Sequence, residues 1–435
     1  LISLLNRLGT GIALRDSIAL MYIITCLLMP IFGYDYYNME FYPARVIDFV
    51  MQVPEPEYYS YVLPAVSAFC FALTFPLPVD RSMDELPGME VLMQRCQSML
   101  EKDNIGVLMI FAGFISFFLT YVLPATFHYV GVIMFLSSFT GLLYIYYTPN
   151  RENKKPLMIS FAIFLVVHSI FIAMFTIIIY MGITISSFFL LRTRIAFWKK
   201  LSLLTVVVFL VVVLQFTKGM YRKIVYASDP GNKVELFTTL YVQNLQAGSD
   251  LFRPEAFWSV YMRVNQGLII SNVMERFPRI KPFDNGEILL TSIFASFIPR
   301  FIWENKSTAD GRFNMTYFAG RTLNKNTSMN VGPVGEAYGS FGPTGGIAFM
   351  FIIGMFVRLL YGWVLQISQR IPLVIMWLPV LFYNITYSAE TDTMQILNSS
   401  IKISFLMWVI YMVWPRWFGI RRQTMHERHI ELSRL

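Results

Sequence analysis

Long apolar runs, separated by short charged stretches, set the pattern of this chain and predict membrane-spanning helices. Crossing about 30 Å of hydrocarbon takes roughly 20 helical residues. The runs at 16–33, 59–77, 105–123, 126–148, 201–217, 344–365, 372–387 and 400–418 approach or reach that length. The run from Leu157 to Leu191 is too long for one span. Its middle, Y-M-G-I-T-I-S around Gly182, predicts a turn that makes it a hairpin of two short spans. The expected fold is therefore an all-α polytopic membrane protein with about ten transmembrane helices.

The pattern changes between 218 and 343, where polar, Gly-rich and Pro-rich sequence interrupts the apolar runs. From Pro254 to Phe277, Phe257, Tyr261, Val264 and Leu268 recur at helical spacing, which predicts an amphipathic helix lying on the spans. Ile288 to Ile298 is apolar but only about half as long as a span, and Pro299 ends it. That length predicts a re-entrant or half-spanning segment. Polar groups and bent backbone at membrane depth persist only where they line a cavity or lie inside protein, so function is expected here.

Composition agrees with the pattern: 56% of residues are hydrophobic and 14% charged, against about 25% charged in soluble domains. The chain opens on Leu, not Met, so the natural N-terminus is expected to lie upstream. The formal charge of +8 is informative through its placement. Short loops rich in Lys and Arg mark the cytoplasmic side. Three such clusters, 151–155, 192–200 and the tail beyond Arg416, fall on one side only if 157–191 is a hairpin. Both chain ends are then cytoplasmic, and 218–343 lies outside. Cys26, Cys70 and Cys96 have no metal-ligand spacing and define no disulfide framework.

Several residues carry candidate chemistry. Arg222, in K-G-M-Y-R, follows a span; Arg263 lies in R-V-N-Q; Arg300 ends the half-span. A guanidinium is a planar, permanently charged fork of donors suited to phosphate and diphosphate. The alternative for Arg222 is an interfacial anchor that snorkels. Glu287 heads the half-span, and Glu336 lies in a Gly-rich turn ahead of a span expected to begin near Thr344. Either can serve as a general base toward a sugar hydroxyl, or cap a helix N-terminus. V-G-P-V-G-E follows no strand, so it is neither a dinucleotide fingerprint nor a P-loop, and its glycines also suit close helix packing. The E-T-D at Glu390 to Asp392 is an acidic spacing worth testing for a metal, and Asp35 or Asp48 is the acid a metal-dependent transferase would use.

In order, R-x-N-Q (263–266), P-F-x-x-G-E (282–287), I-P-R-x-x-W-x-x-K (298–306) and T-S-M-N-V-G-P-V-G-E-A-Y-x-x-F-G-x-T-G-G (327–346) resemble the bacterial O-antigen polymerase (Wzy-type) and oligosaccharide repeat-unit polymerase families. The resemblance covers about 218–365 and departs at Asn305-Lys306. It implies a glycosyltransferase of the GT-C type in the bacterial inner membrane, with its site facing the periplasm. Such an enzyme moves a growing glycan from one undecaprenyl diphosphate carrier to the repeat unit on another, without metal or other cofactor. The implied organisation is N-terminal spans over 1–217, a periplasmic active-site region over 218–343, and C-terminal spans with a basic tail over 344–435.

On the same resemblance, Glu336 and then Glu287 are the expected bases. Arg222, Arg263, Arg300, Lys306, Arg312 and Arg321 are expected to hold diphosphate, with Trp303 and Tyr338 beside the sugar. The implied partners are the lipid-linked oligosaccharide, membrane lipid and a chain-length regulator protein, with no nucleic acid. An O-antigen ligase-like transferase and a multi-pass transporter or flippase remain open as alternatives.

Overall fold

In the computed structural model, the described residues are 1–41, 49–80, 84, 87–100, 104–120, 122, 125–149, 152–173, 175–191, 193, 195–227, 231–298, 311–323 and 329–420. Among them the chain is all-helical, with no strand beyond one isolated bridge between Leu8 and Gly11. Among the described residues, six helices are long and apolar enough to cross a membrane: Leu14–Asp35, His128–Tyr147, Lys154–Ile172, Phe197–Ala227, Gly332–Arg370 and Thr393–Val413. The pair Gly88–Leu100 and Ile105–Leu119, bent by 82°, makes a seventh if counted as one span. The protein is thus a multi-pass membrane protein by its helix composition.

Several elements differ from expectation, each for a visible reason. The 157–191 run is two helices, Lys154–Ile172 and Thr176–Leu190, and its break is at Ala173 (φ 52°), not Gly182. The first helix is tied off from outside: Tyr221 donates to the Ile170 carbonyl at 3.0 Å, and Arg222 Nε to the Ala173 carbonyl at 3.0 Å. Those donors satisfy carbonyls that a helix end leaves bare. The 372–387 run is not a single span but Pro372–Trp377, Leu378–Leu381 and Tyr383–Thr386. The amphipathic helix over 254–277 is two helices, Pro254–Val264 and Gly267–Arg276. The chain breaks where Gln266 N donates to the Thr25 carbonyl at 3.1 Å. The apolar half-length segment is present as Glu287–Phe297.

The chain folds as two units interleaved along the sequence. One comprises 1–76, 162–360 and 383–399. In it, the 31-residue helix Phe197–Ala227 is followed by Lys233–Ala247, and Tyr221, Phe237 and Leu240 close a core with Ile170 and Phe175. Pro30 has no N–H, so the Cys26 carbonyl loses its ordinary helical donor; the buried Tyr58 hydroxyl replaces it at 2.8 Å. The other unit comprises 77–161, 361–382 and 400–435. Its buried Trp377 stacks on Phe418 and donates to Tyr144 at 3.2 Å, while Tyr144 donates to the Trp417 carbonyl.

Candidate functional site

The beginnings of two long helices are tied to each other by their acids. Glu336 lies within the first turns of Gly332–Arg370, in helix and not in the turn expected from its glycines. Its Oε2 accepts from the backbone N–H of Thr393, the first residue of Thr393–Val413, at 2.8 Å. Asp392, just ahead of that helix, reaches the other way: its Oδ1 accepts from Val331 N at 2.9 Å and Gly332 N at 3.3 Å. Each carboxylate therefore sits at the partner helix's N-terminus, where free N–H groups and the helix dipole favour negative charge. The Asn314 amide nitrogen bridges them, donating to Glu336 Oε1 at 2.8 Å and Asp392 Oδ2 at 2.9 Å. Glu336 and Asp392 are each 2% exposed.

Three of the four sequence stretches meet around this junction. Gln266 of R-x-N-Q donates to the carbonyls of Asn330 (3.0 Å) and Val331 (2.7 Å), fixing the entry to the Gly332–Arg370 helix. From P-F-x-x-G-E, Phe283 packs edge-on to Tyr338 with ring centroids 5.7 Å apart. Tyr338 is buried between Phe283 and Tyr61, in packing and not on an open rim. At Gly339 a Cβ would lie 2.6 Å from the Phe318 ring, so that glycine permits close packing. The helix itself breaks at Gly342 (φ 69°, ψ −172°), followed by Pro343.

A cationic group adjoins the junction through Glu390. Arg263 pairs with Glu390 at 2.8 Å, and that carboxylate raises the guanidinium pKa above its ordinary value. Lys218 and Arg222, one turn apart on Phe197–Ala227, lie within electrostatic range of one another, and Lys218 within range of Arg263 and Glu390. Tyr180 and Tyr387 stack on one another at 4.8 Å beside Arg263 and Glu390. Lys218 is the residue that sequence reasoning passed over. Its signal was available in K-G-M-Y-R, where i,i+4 spacing puts both cations on one helix face.

The remaining expected residues lie elsewhere or outside the described residues. Arg321 donates to Asn272 at 3.1 Å and lies over the Phe49 ring. Arg312 is exposed at the start of Gly311–Phe318. Glu287 is exposed in the first turn of its helix, behind a left-handed Gly286. Arg300, Trp303 and Lys306 fall outside the described residues. Among the described residues, no three His, Cys, Asp or Glu side chains cluster as a metal site; Glu390 and Asp392 of E-T-D point instead to Arg263 and to the helix N-terminus.

A family model described as a domain of unknown function (DUF8712) matches residues 87–364, more than half of the chain. The chain belongs to the DUF8712 family. No curated protein and no solved structure matches it. The matched stretch of this DUF8712 protein contains the cations, Asn314 and Glu336, while Glu390 and Asp392 lie beyond it.

Proposed function

We propose that this chain is a membrane glycosyltransferase that polymerises lipid-linked oligosaccharide repeat units at the periplasmic face of a bacterial inner membrane. The observation that carries the reading is the meeting of R-x-N-Q, P-F-x-x-G-E and N-V-G-P-V-G-E around one helix entry, with Arg263 beside it. These are stretches on which the resemblance to O-antigen polymerases rests, and they come from three separate segments of the chain. In the reaction, the bond from the anomeric carbon to the diphosphate oxygen breaks, and undecaprenyl diphosphate leaves with the electron pair. A bond forms from that carbon to a hydroxyl oxygen of the acceptor repeat unit, and the hydroxyl proton passes to a carboxylate. Fixed cations stabilise the charge that develops on the leaving diphosphate.

The two carboxylates expected as base are placed differently. Glu336 has both oxygens engaged by protein donors, whereas Glu287 is exposed at a helix start. Purified protein given a repeat unit on undecaprenyl diphosphate, with EDTA present, should make a ladder of multiples of that unit. Arg263→Ala should lower the rate by about 100-fold or more, the scale of losing a charge-stabilising donor. Glu336→Gln should lose stability as well as rate; Glu287→Gln losing rate alone would assign the proton to Glu287. An unchanged substrate that instead crosses a vesicle bilayer would make the protein a transporter.

A further inference from the structure

Lys218 occupies a costly position. It is 9% exposed and makes no hydrogen bond or ion pair among the described residues. Its charged neighbours are Arg222 and Arg263, with Glu390 as the acid in range. Glu390 is already spent on Arg263 at 2.8 Å, and Arg222 Nε on the Ala173 carbonyl. Three cations thus share one carboxylate, with Lys218 buried, Arg222 half-buried and Arg263 about half exposed. Unpaired charge of this kind opposes folding unless an anion completes the set. Lys218 also comes directly after the apolar part of Phe197–Ala227, whose 31 residues extend roughly 46 Å against about 30 Å of hydrocarbon. The stacked Tyr180 and Tyr387 lie beside its neighbours Arg263 and Glu390.

We propose that Lys218, with Arg222 and Arg263, forms a binding site for a diphosphate group, and that the ammonium of Lys218 is the cation held in reserve for it. Two charges in excess of Glu390 match a dianionic ligand. The two arginines offer planar forks of donors, while the lysine adds a compact point charge. The inference rests on the functional reading above for the lipid that carries the diphosphate; the site itself follows from charge and burial.

A site held for a ligand weakens the empty protein. Lys218→Met, which keeps the length and removes the charge, should therefore raise the thermal midpoint of the unliganded protein while weakening diphosphate binding by about tenfold or more. Titration of protein in neutral-lipid nanodiscs with undecaprenyl diphosphate, and separately with inorganic pyrophosphate, measures the second effect. Lys218→Arg should recover most of the binding, and wild-type affinity should fall as salt rises. Binding of the lipid alone assigns a lipid-borne diphosphate, and binding of both assigns the diphosphate group itself. Wild-type affinity in Lys218→Met, binding of neither compound, or a lowered midpoint with affinity intact would overturn the proposal. A Lys218-dependent affinity without any glycan ladder would leave the site standing and remove the polymerase reading. A ladder made with unchanged KM by Lys218→Met would do the reverse.

Discussion

Glu336 accepts from a backbone N–H 57 residues along the chain, that of Thr393, and Asp392 accepts from Gly332 N, so each acid completes the helix of the other. Asn314 holds the pair by one nitrogen. Removing that nitrogen leaves two buried acceptors short of a donor, and hydrogen bonds to charged groups contribute about 1.5–3 kcal/mol each. Asn314→Leu, close in size, should lower stability by about 2–4 kcal/mol, measured by thermal or denaturant unfolding in detergent. A change within about 0.5 kcal/mol would mean the bridge does not hold the junction. Glu336 was legible in the sequence as a lone acid among glycines, and Glu390 and Asp392 as an acidic spacing. Asn314 was not, because nothing local distinguishes an Asn in G-R-F-N-M-T-Y until a carboxylate 22 residues later folds onto it. Lys218 was legible only in part: K-G-M-Y-R puts it on one helix face with Arg222, but a Lys at the end of an apolar run reads as a snorkelling anchor until its burial is known.

Helix lengths and types were legible from hydropathy wherever an apolar run was long, as for Leu14–Asp35, His128–Tyr147 and Thr393–Val413. Breaks were less legible, because side chains from other elements impose them. The split between Val264 and Gly267 depends on Gln266 reaching Asn330 and Val331, and the end of Lys154–Ile172 on Tyr221 and Arg222. Gly182, which looked like a turn, has open space where a Cβ would be and stays helical. Gly342 is the opposite case. Its φ of 69° with ψ of −172° is a conformation essentially confined to glycine, so the kink in Gly332–Arg370 is written into one residue. Gly342→Ala should cost about 1–3 kcal/mol by unfolding. Pro343→Ala, which leaves that backbone available, should cost less. Equal losses from the two would move the origin of the kink from the glycine to the proline.

At the scale of the molecule, an all-helical multi-pass chain was readable from composition and run length, because an apolar stretch of span length has few other uses. The number of spans was not. Pro372–Thr386 has span-like hydropathy yet is broken into short turns packed in the protein, where hydropathy alone gives no sign of it. Placement of the cations relative to the helix junction also required the fold, since residues 218, 263 and 390 come from three separate segments. The functional reading joins that placement to the chemistry of a leaving diphosphate. Its most direct measurement counts undecaprenyl diphosphate released by the purified protein from a lipid-linked repeat unit, beside the glycan linkages formed in the same sample. The account predicts one carrier released for each new linkage, with both falling together in Arg263→Ala. Linkages without carrier release, or substrate that crosses a bilayer with neither product, would contradict it.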